Sequence, residues 1–200
     1  MSNHNKILFF IGPSSSGKDT FFAKTLSMYD VLPIIPLTTR PIRPGEMHGK
    51  EYYFITQEEM NLLDAKNELI ERRDYNAIQG MWSYATEKSA IDLDNFNYLT
   101  PNTWDGYQKF LNIYPRECLV PIYFQLDKGV RLQRALDRER NSKTSDYAEM
   151  CRRFLADEQD FPEDKIEFYK PYIIDNNGSI EETLEQLENI MVRKLNISPK

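Results

Sequence analysis

The chain has 200 residues, room for one domain with small inserted lobes, and its 40% hydrophobic and 28% charged residues are those of an ordinary globular protein. A net charge of −6 argues against a nonspecific nucleic-acid binder, while leaving local basic clusters able to hold small phosphates. Two cysteines, Cys118 and Cys151, are too few for a disulfide framework, no apolar stretch reaches the ~20 residues of a membrane-spanning helix, and no signal peptide is read ahead of the first strand, so a cytoplasmic protein without membrane partners is expected.

Residues 6–11, KILFFI, form a short continuous apolar run, the pattern of a buried strand in a parallel sheet. The run ends in IGPSSSGKDT, residues 11–20, where Gly12 and Gly17–Lys18 have the spacing of a phosphate-binding loop. Glycines at both ends let successive backbone N–H groups converge on a phosphate, and a helix N-terminus and Lys18 add positive charge. Phe21, Phe22, Leu26 and Met28 then fall on one face of that helix. The residue after the lysine is normally Ser or Thr, whose hydroxyl holds magnesium; here it is Asp19, whose carboxylate can take the metal directly or through water, with Thr20 beside it.

Further strands are expected at residues 31–37, 97–100, 118–126 and 172–175, with helices at 128–140 and 145–160. A final helix begins at Ser179, with Glu182 completing a capping box and Ile180, Leu184, Leu187 and Met191 as an apolar stripe. Strand–helix alternation predicts an α/β fold, a parallel sheet with helices on both faces, whose ligands bind at the carboxyl ends of the strands. Residues 38–90 break the alternation and read as a small, mostly β lobe inserted after the second strand, with short strands around a turn in 68–87. In its Pro-stiffened loop, Arg40 and Arg43 suit an anion, because guanidinium forks bind phosphate oxygens in pairs. His4, in the N-terminal tail, and His48, in a polar turn, have no metal-ligand spacing and read as solvated.

GPSSSGKDT followed by TTRPIRPGEMHGKEYYF (residues 38–54) resembles the guanylate kinase family, whose long second motif is R-x-x-R-x-G-E-x-x-G-x-x-Y-x-F. The resemblance continues more weakly along the chain. Glu71 matches the family's base-reading glutamate, Tyr84 and Thr86 its Y-G-T or Y-G-S, and Arg134, Arg138 and Arg140 its arginine-rich helix. Arg152 or Arg153 matches the arginine after the lid. It implies a three-layer P-loop NTPase fold, with a core of 1–37 and 91–200, a lid at about 138–152 and an acceptor lobe at 38–90.

The resemblance also implies an activity, transfer of the γ-phosphoryl group of ATP, with Mg2+, to GMP or dGMP. Gly12, Pro13, Ser14, Ser15, Ser16, Gly17, Lys18, Asp19, Thr20 and Arg134 would hold ATP, with Asp19 at the metal. Arg40, Arg43, Tyr52 and Tyr84 would hold the acceptor phosphate, oriented by Glu46. Glu71 would accept from guanine N1–H and the amine, Thr86 would donate to O6, and Thr103 falls at a family aspartate in the same pocket. Lys18, Arg43, Arg138, Arg140, Arg152 and Arg153 would stabilise the transferring group, without a dedicated general base. The resemblance leaves the chain a monomer or homodimer and gives it no nucleic-acid partner.

Some positions depart from the family. Its D-x-D aligns with Pro101 and Thr103, where Asn102 or Asp105 are the available substitutes, and a family serine aligns with Pro36. G-K-D-[ST] and the DNNGS segment also resemble ribose-bisphosphate phosphokinases, so a sugar-phosphate acceptor is the alternative, and a noncatalytic phosphopeptide-binding module is a third. For Glu71 the competing reading is a surface ion pair with Arg72 or Arg73.

Overall fold

The computed structural model describes residues 5–200 apart from 44, 78–79 and 143–144; His4 and the turn between the two lobe strands thus lie outside the described residues. Five parallel strands form the main sheet: β1 (Ile7–Ile11), β2 (Leu32–Pro33), β7 (Tyr98–Asn102), β8 (Leu119–Gln125) and β9 (Tyr172–Asp175), in the order β2-β7-β1-β8-β9. β1 is central, and all five of its residues are fully buried. Its alternation divides the core. Leu8 and Phe10 point into a cluster with Phe21, Phe124, Leu187 and Met191, under α1 (Lys18–Met28) and α7 (Ile180–Glu188). Ile7, Phe9 and Ile11 point the other way, toward Trp104, Tyr107 and Phe110 of α3 (Trp104–Leu111). Trp104 is stacked between Tyr123 and Tyr169, at 5.8 and 5.0 Å, and Tyr169 ends α6 (Glu163–Tyr169). Helices therefore cover both faces, as expected.

A second, four-stranded sheet is formed by the segment read as an inserted lobe: β3 (Leu37–Thr38), β4 (Tyr53–Phe54), β5 (Leu69–Ala77) and β6 (Gly80–Glu87), ordered β4-β3-β6-β5. The expected single strand at 31–37 is two strands in two different sheets. Pro33 and Pro36 lack the N–H that a continuous ladder needs, and the chain crosses between sheets at these residues. The lobe also contains α2 (Gln57–Ala65), absent from the sequence reading although Thr56 and Glu59 form a capping box before it. Met60 of α2 packs with Leu37, Leu69 and Ala85 as the lobe's own small core.

α4 spans Lys128–Arg140, matching the expected helix, and α5 spans Tyr147–Asp160. α7 is capped by Ser179 and Glu182 as read, and continues into a π-helical turn over Asn189–Lys194. Ile180 is 50% exposed and lines a cavity beside the loop after β1, so the packed apolar stripe begins at Leu184. Met28 likewise leaves the core at the end of α1, at 41% exposure. His48 is exposed, and its Nδ1 accepts from Phe54 N at 3.2 Å. No helix among the described residues is long and apolar enough to cross a membrane.

Candidate active site

The phosphate loop leaves β1 at the carboxyl edge of the sheet and ends at the α1 N-terminus. Gly17 has φ of 92°, and a Cβ there would lie 2.4 Å from Asn176 Nδ2, so only glycine closes the loop without displacing a neighbour. Asn176 is nearly buried beyond β9; its Nδ2 donates to Ser16 O at 2.7 Å and its Oδ1 accepts from Thr183 Oγ1 at 3.0 Å. On the other side, Ser14 N donates to Asp157 Oδ2 at 2.9 Å. Asp157 is fixed by the buried Arg131, whose Nη1 donates to it at 3.1 Å and whose guanidinium packs 3.9 Å over the Phe154 ring. The Arg131–Asp157 pair thus ties the loop to α4 and α5, which are also joined by ion pairs of Arg131 and Lys128 with Glu158. The Oγ atoms of Ser15 and Ser16 are shielded and have no partner, orphaned polar groups that a phosphate would satisfy.

Two cavities flank the loop. One, of about 450 Å³, is lined by Ser15, Gly17, Lys18, Asp19, Thr20, Arg134, Arg138 and Asn176. The other, of about 620 Å³, runs from Ser14 and Ser15 to α5 and is lined by Arg138, Arg153 and Asp157. Arg138 and Ser15 border both, so the cationic side chains converge where a polyphosphate would pass. Arg140 instead lies 3.7 Å from Asp137, away from both cavities. Arg152 and Arg153 both pair with Glu149, which their hydrogen bonds push down to about 2, and only Arg153 borders a cavity. Asp19 projects into solvent, 81% exposed, 3.9 Å from Lys18 Nζ. Among the described residues no three His, Cys, Asp or Glu side chains come together to hold a metal.

A third cavity, of about 440 Å³, lies between the lobe and the end of β7. Tyr52, Glu71, Tyr84 and Thr86 line it, as the sequence suggested, together with Arg73, Lys50, Pro36 and Asn102. Glu71 is 4% exposed at its side chain; its Oε1 accepts from Arg73 Nη2 at 3.2 Å and from Thr86 Oγ1 at 3.3 Å. The pairing with Arg73 is therefore present, but inside the cavity rather than on an outer surface, while Arg72 turns to Asp74 and Asp64. Thr103 spends its hydroxyl on the α3 N-cap, accepting from Gly106 N at 3.3 Å, and does not border the cavity; Asn102, one residue earlier, does.

Arg40 is 4% exposed and grips Glu46 with both terminal nitrogens, at 2.8 and 2.5 Å, with its guanidinium 5.0 Å from the Tyr52 ring. That pair, with the Arg43 N–H, holds Glu46 down to about 2, so it stays ionised through neutral pH. Arg43 itself is exposed, its backbone N anchored to Glu46 Oε2 at 2.8 Å. Sequence reading missed Arg73 as a pocket residue, although its place two after Glu71 on a strand puts both on one face. It also missed Asp157, Arg131 and Asn176, whose role depends on long-range packing that no local pattern announces.

A family model described as guanylate kinase matches residues 4–95, which hold the loop after β1 and the whole of the lobe. The guanylate kinase of Blochmanniella floridana is 34% identical over 137 residues, 64% of this chain; the chain spans 63% of that relative's length. That of Anaplasma phagocytophilum is 30% identical over 189 residues, 92% of this chain and 85% of the relative. A crystal structure of guanylate kinase from Anaplasma phagocytophilum superposes with a TM-score of 0.61, covering 96% of this chain and 87% of that one at 22% identity, and so shares the fold. Identity sustained across nearly the whole of a relative, over the loop and the lobe described above, is more than a shared motif: the chain belongs to the guanylate kinase family.

Proposed function

We propose that the protein transfers the γ-phosphoryl group of ATP to GMP or dGMP, releasing ADP and the nucleoside diphosphate. The observation that carries this is Glu71, a nearly buried carboxylate in a cavity of nucleotide size, beside a loop with the orphaned hydroxyls of a phosphate cradle. A phosphate oxygen of the acceptor would bond to the γ-phosphorus as the bond to the β–γ bridging oxygen breaks, and ADP would carry the electron pair away. The transition state is loose, so the protein's share is position and charge. Lys18 and the loop amides would hold the donor phosphates, Arg138 and Arg153 would face the transferring group, and Arg43, with Tyr52 and Tyr84, would hold the acceptor phosphate.

Magnesium fits the residues present: it keeps most of its waters and phosphate oxygens and asks one or two carboxylates of a protein, and Asp19 is an open carboxylate beside Lys18 with Thr20 next to it. When bound with the nucleotide, the ion neutralises charge on the phosphates. Asp19 and Thr20 would hold it.

Glu71→Gln tests the reading. The amide keeps the shape but replaces one acceptor with a donor facing a guanine N–H. kcat/KM for GMP should fall on the order of 100-fold, with the poor AMP activity nearly unchanged. Unchanged GMP kinetics would remove guanine from the cavity.

A further inference from the structure

Glu71, Thr86, Arg73 and Tyr84 form a two-by-two patch in the acceptor cavity. Glu71 and Arg73 are alternate residues of β5, paired across the ladder with Thr86 and Tyr84 of β6. Arg73 and Thr86 both act on Oε1 of Glu71, so the two side chains lie side by side. Together they present two carboxylate acceptors followed by guanidinium donors. Guanine presents the complement in sequence: two donors, the amine and N1–H, then two acceptors, O6 and N7.

From this juxtaposition, and resting on the guanine-nucleotide reading above, we propose that Arg73 is a specificity-determining residue that donates to the O6 and N7 edge of the acceptor base. Thr86 cannot enforce that choice alone. Its hydroxyl rotates, donating to the O6 of guanine or accepting from the amine that adenine carries at the same place. A guanidinium has five N–H donors and no acceptor, so it meets adenine's amine donor to donor. Arg73 thus adds a repulsive element against adenine as well as an attractive one toward guanine. One edge of its fork holds Glu71 at 3.2 Å, and at 43% side-chain exposure the rest remains open to the cavity.

The test uses acceptors that keep the groups facing Glu71 and weaken those facing Arg73: 6-thio-GMP, with a poor acceptor at position 6, and 7-deaza-GMP, with none at position 7. Wild type should prefer GMP over each analogue by roughly tenfold in kcat/KM. In Arg73→Met the preference over 7-deaza-GMP should vanish and that over 6-thio-GMP shrink to what Thr86 alone supplies: GMP falls further than either analogue, each of which has only one of the two contacts to lose, and the GMP-to-AMP ratio drops at least about tenfold. Arg73→Lys, which keeps a cation beside Glu71 but loses the fork, should also lose the preference. A purely structural role, holding Glu71 in place, would lower GMP and its analogues equally, and that result would overturn the inference, as would an unchanged GMP-to-analogue ratio in Arg73→Met. A wild type that does not accept GMP at all would instead refute the functional reading itself.

Discussion

Arg40 and Arg43 are three residues apart and do different work. Arg40 is buried, saturated by Glu46 and stacked against Tyr52, so it fixes the loop. Glu46 also accepts from the backbone of Arg43, which anchors the loop at that residue while the Arg43 guanidinium is exposed. Pre-paying the ordering of a loop is what makes an exposed arginine an effective phosphate clamp. Arg43→Met should therefore lower kcat/KM for the acceptor at least about 100-fold, near 3 kcal/mol of transition-state stabilisation, with the ATP constant little changed. Near-normal turnover in steady-state kinetics would make this loop a solvated basic turn. The R-x-x-R-x-G-E spacing was legible in the sequence. The division of labour was not, because only burial and the Glu46 contacts distinguish the two guanidinium groups.

Local grammar worked where a segment carries its own instructions. The phosphate loop, the burial of β1, the span of α4 and the capping box of α7 all follow from residues within one or two turns. It failed where a segment serves two bodies. Residues 31–37 read as one apolar strand, yet Pro33 and Pro36 divide it between two sheets. α2, α3 and α6 are short helices whose apolar positions too few turns repeat to stand out. The junction of the loop and α1 is the element most dependent on distant packing, since Gly17 is pressed against Asn176 from the far edge of the sheet. Gly17→Ala sets a side chain at φ of 92° and 2.4 Å from that amide. It should cost about 1–3 kcal/mol in a denaturant melt and weaken ATP binding at least about tenfold in a titration. A variant with wild-type stability and affinity would show that the loop tolerates another closure.

At the scale of the molecule, the parallel sheet gathers four segments far apart in sequence along one edge: the loop after β1, the end of β7, α4 with α5, and the turn after β9. The lobe brings its own sheet against that edge, so the cavity beside the loop and the cavity beside the lobe lie on either side of α1: Lys18 and Thr20 face one, Phe22 the other. A parallel sheet covered by helices on both faces was readable from the alternating pattern, whereas the strand order was not, and the third cavity's contents depended on which side of β5 faces inward. Of Pro101, Asn102 and Thr103, the residues on which the resemblance sets the D-x-D, only Pro101 and Asn102 border the cavity beside the lobe. In the proposed reaction Glu71, Thr86 and their neighbours select guanine. The most direct test of that selection is the specificity constant of the wild-type protein with ATP–magnesium and a panel of GMP, dGMP, AMP, UMP and ribose bisphosphate, following ADP release. GMP or dGMP should lead AMP by at least about 1,000-fold, with ribose bisphosphate inert. Preferential turnover of ribose bisphosphate, or no acceptor-dependent ADP release at all, would contradict it.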